Sequence, residues 1–230
     1  MGAALGWGAL AASSLIIGAV LGLAWSWRDG VVGGVLAFGA GALISAVSFD
    51  LAQEGAQVGS PGTLAVGLGL GAITYFLADR ALEKHAGGAG VGLALGAFLD
   101  GIPEQLVLGI GLASGEGVSV GLLAAIFVSN LPEAIGSSTD MRATGRAPRE
   151  VALLWFAVAV ICTLATVGGY AIADSTGGDF EATVDGFAAG ALLVMLIDSM
   201  IPDAVRKAGE NAGLVTVLGF AVAAGLSGIG

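Results

Sequence analysis

Long apolar runs, each about the length that crosses a bilayer, fill this chain almost from end to end. Eight of them lie near 4–26, 31–52, 60–79, 90–113, 118–140, 150–173, 183–204 and 211–229. A backbone in hydrocarbon must satisfy its own N–H and C=O groups, so runs of this length are helices. The joins are short and rich in Gly, Asp and Ser, as at Asp29-Gly30, Gly59-Ser60-Pro61 and Ser175-Thr176-Gly177-Gly178. They leave no room for a soluble domain, and residues 1–230 read as one all-α integral membrane domain. Composition agrees. Charged residues make up 11% and apolar residues 56%, whereas a soluble domain carries roughly 25% charged residues. The 41 glycines suit helices that approach closely where lipid gives apolar surfaces no reason to associate.

The charges test this division. All eight basic residues fall in or beside the joins that follow odd-numbered spans: Arg28; Arg80 and Lys84; Arg142, Arg146 and Arg149; Arg206 and Lys207. The other joins carry Glu54, Glu116, Asp174, Asp179 and Glu181 instead. A miscounted span would scramble that alternation. The positive-inside rule therefore predicts eight transmembrane helices with both termini outside the cytoplasm, in a cell membrane. The first span lacks a basic stretch before its apolar core, so it reads as a permanent span and not a secretion signal. A net charge of −10 and the absence of a basic stripe exclude a nucleic-acid partner.

Span 2 contains Phe38-Gly39-Ala40-Gly41-Ala42-Leu43 and span 7 contains Phe187-Ala188-Ala189-Gly190-Ala191-Leu192. The first is followed by Asp50 and Glu54, the second by Asp198 and Asp203. Spans 2 and 7 cross in opposite directions on this topology, so the similarity predicts inverted-repeat organisation. Chance likeness between Gly/Ala-rich helices is the plainer alternative.

Ionisable groups inside a span are costly and face a cavity or a partner. Span 4 holds Asp100-Gly101-Ile102-Pro103-Glu104-Gln105, and span 5 holds Ser129-Asn130-Leu131-Pro132-Glu133. Asp100 and Glu104 share a helix face, as do Ser129 and Glu133, and Asn130 lies beside Glu133. Each proline lacks an N–H and frees the carbonyl four residues earlier, on Leu99 or Val128. Brought together, the two segments offer carboxylates, an amide oxygen, a hydroxyl and bent backbone, which is an oxygen-rich cation site. The alternative is that the prolines only kink the helices while protonated carboxyls bond across them.

At these residues the chain resembles the ZIP (Zrt/Irt-like) family of metal-ion transporters, in a divergent bacterial or archaeal form. The resemblance implies a divalent transition-metal transporter that moves ions into the cytoplasm by alternating access. Glu104 and Glu133 match the family's acids on its fourth and fifth helices. Asp100 stands where the family has a histidine, Gly101 where it has an asparagine, Asn130 where it has an acid, and Ser129 where it has a stronger ligand. The family's sixth helix often supplies Glu-Pro where this chain has Ala165-Thr166-Val167-Gly168. The resemblance therefore implies one metal site, built from Asp100, Glu104, Asn130, Glu133 and Ser129. Zinc is the family's usual ion, while an all-oxygen set suits harder cations such as Mn²⁺, so Zn²⁺, Mn²⁺ and Fe²⁺ all stay open.

No prosthetic group and no catalytic residue are expected. An intramembrane metalloprotease needs paired histidines, and the one histidine, His85, sits in a loop. Cys162, the one cysteine, reads as packing. Asp50, Glu54, Asp198 and Asp203 either guide ions or are solvated helix ends. Besides the metal ion and membrane lipid, the Gly-rich surfaces permit a homodimer. A sensor or scaffold of the same fold that binds metal without moving it is the alternative function, favoured by the missing ligands.

Overall fold

The computed structural model describes the backbone of residues 1–85, 89–113, 120–173 and 177–227, and the same side chains apart from 82–85, 89–97, 100 and 227. Every regular element among them is helical. The long helices are α1 (Gly2–Ala24), α2 (Asp29–Ala46), α3 (Pro61–His85), α4 (Ala89–Ala113), α5 (Val120–Ala143), α6 (Pro148–Ala173), α7 (Gly178–Met195) and α8 (Ala212–Ser227). Each follows one expected span. Six stretches are long and apolar enough to cross a membrane: Gly2–Ala24, Asp29–Val58, Pro61–Ala81, Val120–Ala143, Pro148–Ala173 and Gly178–Leu226. The last takes in both α7 and α8, and the chain breaks between them at Gly209, whose φ of 66° suits glycine. From α4 comes the shorter apolar helix Gly101–Ala113.

Large apolar side chains cover the outside. Leu77, Leu164, Ile197, Leu214 and Val217 are all exposed, an arrangement that water penalises and lipid does not. The inside is made mostly of Ala, Gly and Leu, with Trp155 of α6 the bulkiest fully buried side chain.

Two helices carry an irregularity at matching places. α2 runs through a π-turn at Val47–Gln53 into a short helix, Glu54–Val58, and α7 runs through one at Leu196–Met200 into Ile201–Ala208. π-turns are uncommon and gather at functional sites. Val47 and Leu196 are as far apart in sequence as Phe38 and Phe187, so the irregularity obeys the same repeat as the sequence.

Packing obeys it too. The Phe38 carbonyl of α2 occupies the space a side chain at Gly219 of α8 would need, and the Phe187 carbonyl of α7 does the same at Gly71 of α3. Gly41 receives Thr216 of α8 as Gly190 receives Leu68 of α3. Two further interfaces pair likewise: Gly18 and Gly22 of α1 receive Leu131 and Ile135 of α5, while Gly169 of α6 receives Leu106 of α4. The α2 and α7 segments are antiparallel, since Gly33 meets Ala208 at one end and Gly59 meets Ala182 at the other. Repeated packing with reversed direction is what an inverted repeat produces.

The two ends of the bundle differ in charge. At one, Arg142 donates to the Leu23 carbonyl at 2.6 Å and Lys207 packs on Gly33. At the other, the Ser60 N–H donates to Asp179 Oδ1 at 3.0 Å, and Asp185 lies against Gly55. Arg142 and Lys207 thus lie at one end, and Asp179 and Asp185 toward the opposite one.

Candidate metal centre

α4 and α5 pack directly on each other, and each carries a proline within its helix, Pro103 and Pro132. Neither proline ends its helix. Each removes one N–H from the ladder and leaves the carbonyl of Leu99 or Val128 without its usual partner. α2 reaches this level through Gly39, where a Cβ would stand 3.0 Å from Ser129 Cα and 3.4 Å from the Val128 oxygen. Having no side chain, Gly39 lets α2 approach α5 at the proline break.

Several polar side chains of these two helices are shielded from solvent. Glu104, Ser129 and Asn130 are each 1% exposed and Gln105 is fully buried, while Glu133 is half-buried. A buried carboxylate is stable only with a proton, a cation or good donors around it. The Ser129 hydroxyl donates to the Ile126 carbonyl of its own helix at 3.1 Å, which leaves the oxygen's lone pairs as acceptors. The Asn130 Nδ2 group has no hydrogen-bond partner. Turning that amide by half a revolution would place its carbonyl oxygen there, with no donor to displace. The side chain of Asp100 lies outside the described residues. Among those described, no three His, Cys, Asp or Glu side chains converge as a metal-binding group.

Sequence reasoning missed what α6 brings. Cys162 is fully buried, and its sulfur lies 2.6 Å from where a Cβ on Gly101 would stand. Any side chain at position 101 would collide with that thiol, so the glycine there is a packing requirement of this chain. One turn further along α6, the fully buried Thr166 donates its hydroxyl to Gln105 Oε1, leaving Gln105 Nε2 without a partner. A polar pair therefore occupies the level where the sixth helix was expected to contribute nothing. Its sequence signal was weak: a threonine among small residues, four after the cysteine.

The acidic residues beyond the centre separate into different environments. Asp203 pairs with Arg206 at 2.8 Å, Asp198 is exposed, and Asp50 and Glu54 are half-buried at the π-turn of α2. Asp185, which sequence reasoning passed over, is 4% exposed. His85 has its side chain outside the described residues.

No family model matches the chain. In an alignment 186 positions long that covers 75% of this chain, it is 31% identical to an Arabidopsis thaliana protein named "Putative zinc transporter". The chain spans 30% of that relative's length.

Proposed function

We propose that this chain is a ZIP-type transporter that carries a divalent transition-metal cation across a cell membrane into the cytoplasm. The observation that carries this reading is the burial of Glu104, Ser129 and Asn130, each 1% exposed, where two proline-bearing helices pack together. Carboxylate, hydroxyl and amide oxygens in one apolar surrounding form a site for a hard or borderline cation. Asp100, one turn before Glu104, and Glu133, three residues after Asn130, complete it. The similarity to a protein named as a zinc transporter agrees.

In this reading the chain crosses eight times with both termini outside, which puts the basic end of the bundle in the cytoplasm. A cation arriving from the acidic end exchanges its water for the carboxylates of Asp100, Glu104 and Glu133 and the oxygens of Ser129 and Asn130. The mirrored packing of α2 on α8 and α7 on α3 provides two nearly equivalent bundles, whose rocking would open the centre to one side and then the other. An acid cluster without its cation takes up protons more readily, so proton uptake would favour release. The role is transport, with no chemical conversion of the ion. A metal-binding sensor or scaffold is the second reading, favoured by the Gln105–Thr166 pair at the level where the family's sixth-helix acid would stand.

Uptake of Mn²⁺, Zn²⁺, Fe²⁺, Co²⁺, Cd²⁺ and Mg²⁺ into proteoliposomes tests it, with wild type beside Glu104→Gln and Glu133→Gln. Uptake lost in both variants is the expected result. Binding without uptake by folded wild-type protein would establish the sensor reading.

A further inference from the structure

Lys207 belongs to the short helix Ile201–Ala208 at the basic end, and its side chain is half-buried. Its Cβ lies 2.7 Å from the position a Cβ on Gly33 would take, and its ammonium lies 3.4 Å from the equivalent position on Gly136. The side chain therefore crosses from α2 to α5. Gly136 follows Glu133 by three residues, so the two share a face of α5, separated by about 4.5 Å along the helix axis. Moving along α5 toward the basic end, the order is Ser129, Asn130, Glu133, and then the ammonium at Gly136.

The arrangement depends on Gly33. A side chain there would collide with the Ala208 backbone at 2.5 Å and with Lys207 Cβ at 2.7 Å, whereas one at Gly136 would only stand in ordinary contact with the ammonium. Among the described residues no carboxylate is paired with Lys207, because Asp203, one turn before it, pairs with Arg206 at 2.8 Å. A positive charge without an ion pair among the described residues thus stands about one turn beyond Glu133 on α5.

We infer that Lys207 is a tethered cation gate, whose ammonium bars the way between the Glu133 level and the basic end until it swings aside. The gate's role in flux rests on the transporter reading; its charge and position do not. A divalent cation leaving Glu133 in that direction meets a like charge a few Å away, where half-buried surroundings screen Coulomb repulsion less than bulk water does. Flexible lysine suits such a part, since four rotatable bonds let the charge move without the helix moving.

Two measurements on the full chain in vesicles test this. In the first, Gly136→Cys is labelled from the basic end with one cationic and one anionic membrane-impermeant thiol reagent, the parent with only buried Cys162 serving as background. With Lys207 present the anionic reagent is expected to hold a rate advantage, falling about tenfold in Lys207→Met and persisting in Lys207→Arg. An anion-to-cation ratio unmoved by Lys207→Met overturns the gate. In the second, metal flux is read with Gly136 intact: Lys207→Met is expected to raise the initial rate severalfold, with equilibrium metal binding no weaker than in wild type. A rate equal to wild type overturns the gate as well. If wild type moves no metal, the transporter reading fails on its own, and the thiol ratio still decides whether Lys207 guards the centre.

Discussion

The Thr166 hydroxyl donates to the side-chain carbonyl of Gln105, and both residues are fully buried. This bond ties α6 to α4 at the residue next to Glu104. Removing the hydroxyl alone leaves a buried carbonyl unsatisfied. Thr166→Val is therefore expected to destabilise the protein by about 1–3 kcal/mol. Replacing both groups by apolar ones removes that penalty, so Gln105→Leu with Thr166→Val should cost less than the two single changes added. Denaturant or thermal unfolding of the four proteins in detergent measures the cycle, and simple additivity would show that the bond contributes nothing.

A buried carboxylate that exists to hold a cation weakens the empty protein. Glu104→Gln keeps the shape and removes the charge, so metal-free protein should be as stable as wild type or more so. The variant should lose the stabilisation that wild type gains from added metal, which at a hundredfold excess over Kd is about 2.7 kcal/mol. Melting curves with and without Mn²⁺ or Zn²⁺ provide the comparison. Equal metal stabilisation of both proteins would remove Glu104 from the centre.

Gly41 and Gly190 stand at matching positions of the repeat, each facing a backbone carbonyl across a helix interface. A carbonyl is part of the main chain and cannot rotate away as a side chain can. Gly41→Ala and Gly190→Ala are therefore both expected to lower stability by about 1–3 kcal/mol through overpacking. Gly34, in the same helix as Gly41 with open space where its Cβ would be, is the control. Gly34→Ala, with no clash and a better helix former, should leave stability unchanged or raise it by up to about 1 kcal/mol. A neutral Gly41→Ala would mean that the interface is looser than described.

The separation of charge between the two ends yields a test of orientation. Gly30 beside Arg28 and Gly62 beside Ser60 both have room for a side chain. In intact cells, a membrane-impermeant thiol reagent should label Gly62→Cys and spare Gly30→Cys, with the pattern reversed in inverted vesicles. The opposite pattern would turn the proposed direction of transport around.

The helical, membrane-spanning character of the chain was legible from the sequence, because a bilayer imposes one length and one polarity on whatever crosses it. The Pro103–Glu104 and Pro132–Glu133 units were equally legible, since a charge and a missing donor are conspicuous among apolar residues. The likeness of Phe38–Leu43 to Phe187–Leu192 suggested a repeat, and sequence alone left chance as an explanation. Contact between those helices and their neighbours was not legible. Apolar runs of Gly, Ala and Leu are nearly uniform around the helix, so hydropathy does not say which face meets which partner.

Only the tertiary structure decided that Phe38 meets Gly219 as Phe187 meets Gly71, or that two π-turns interrupt α2 and α7 at matching places. It also set Cys162 against Gly101, joined Thr166 to Gln105, and carried Lys207 across to Gly136. Each of these relations links residues far apart in the chain through helix rotation and close approach. Local sequence governs what a segment becomes in lipid; the surroundings of Glu104 and Glu133 depend on how the segments are assembled.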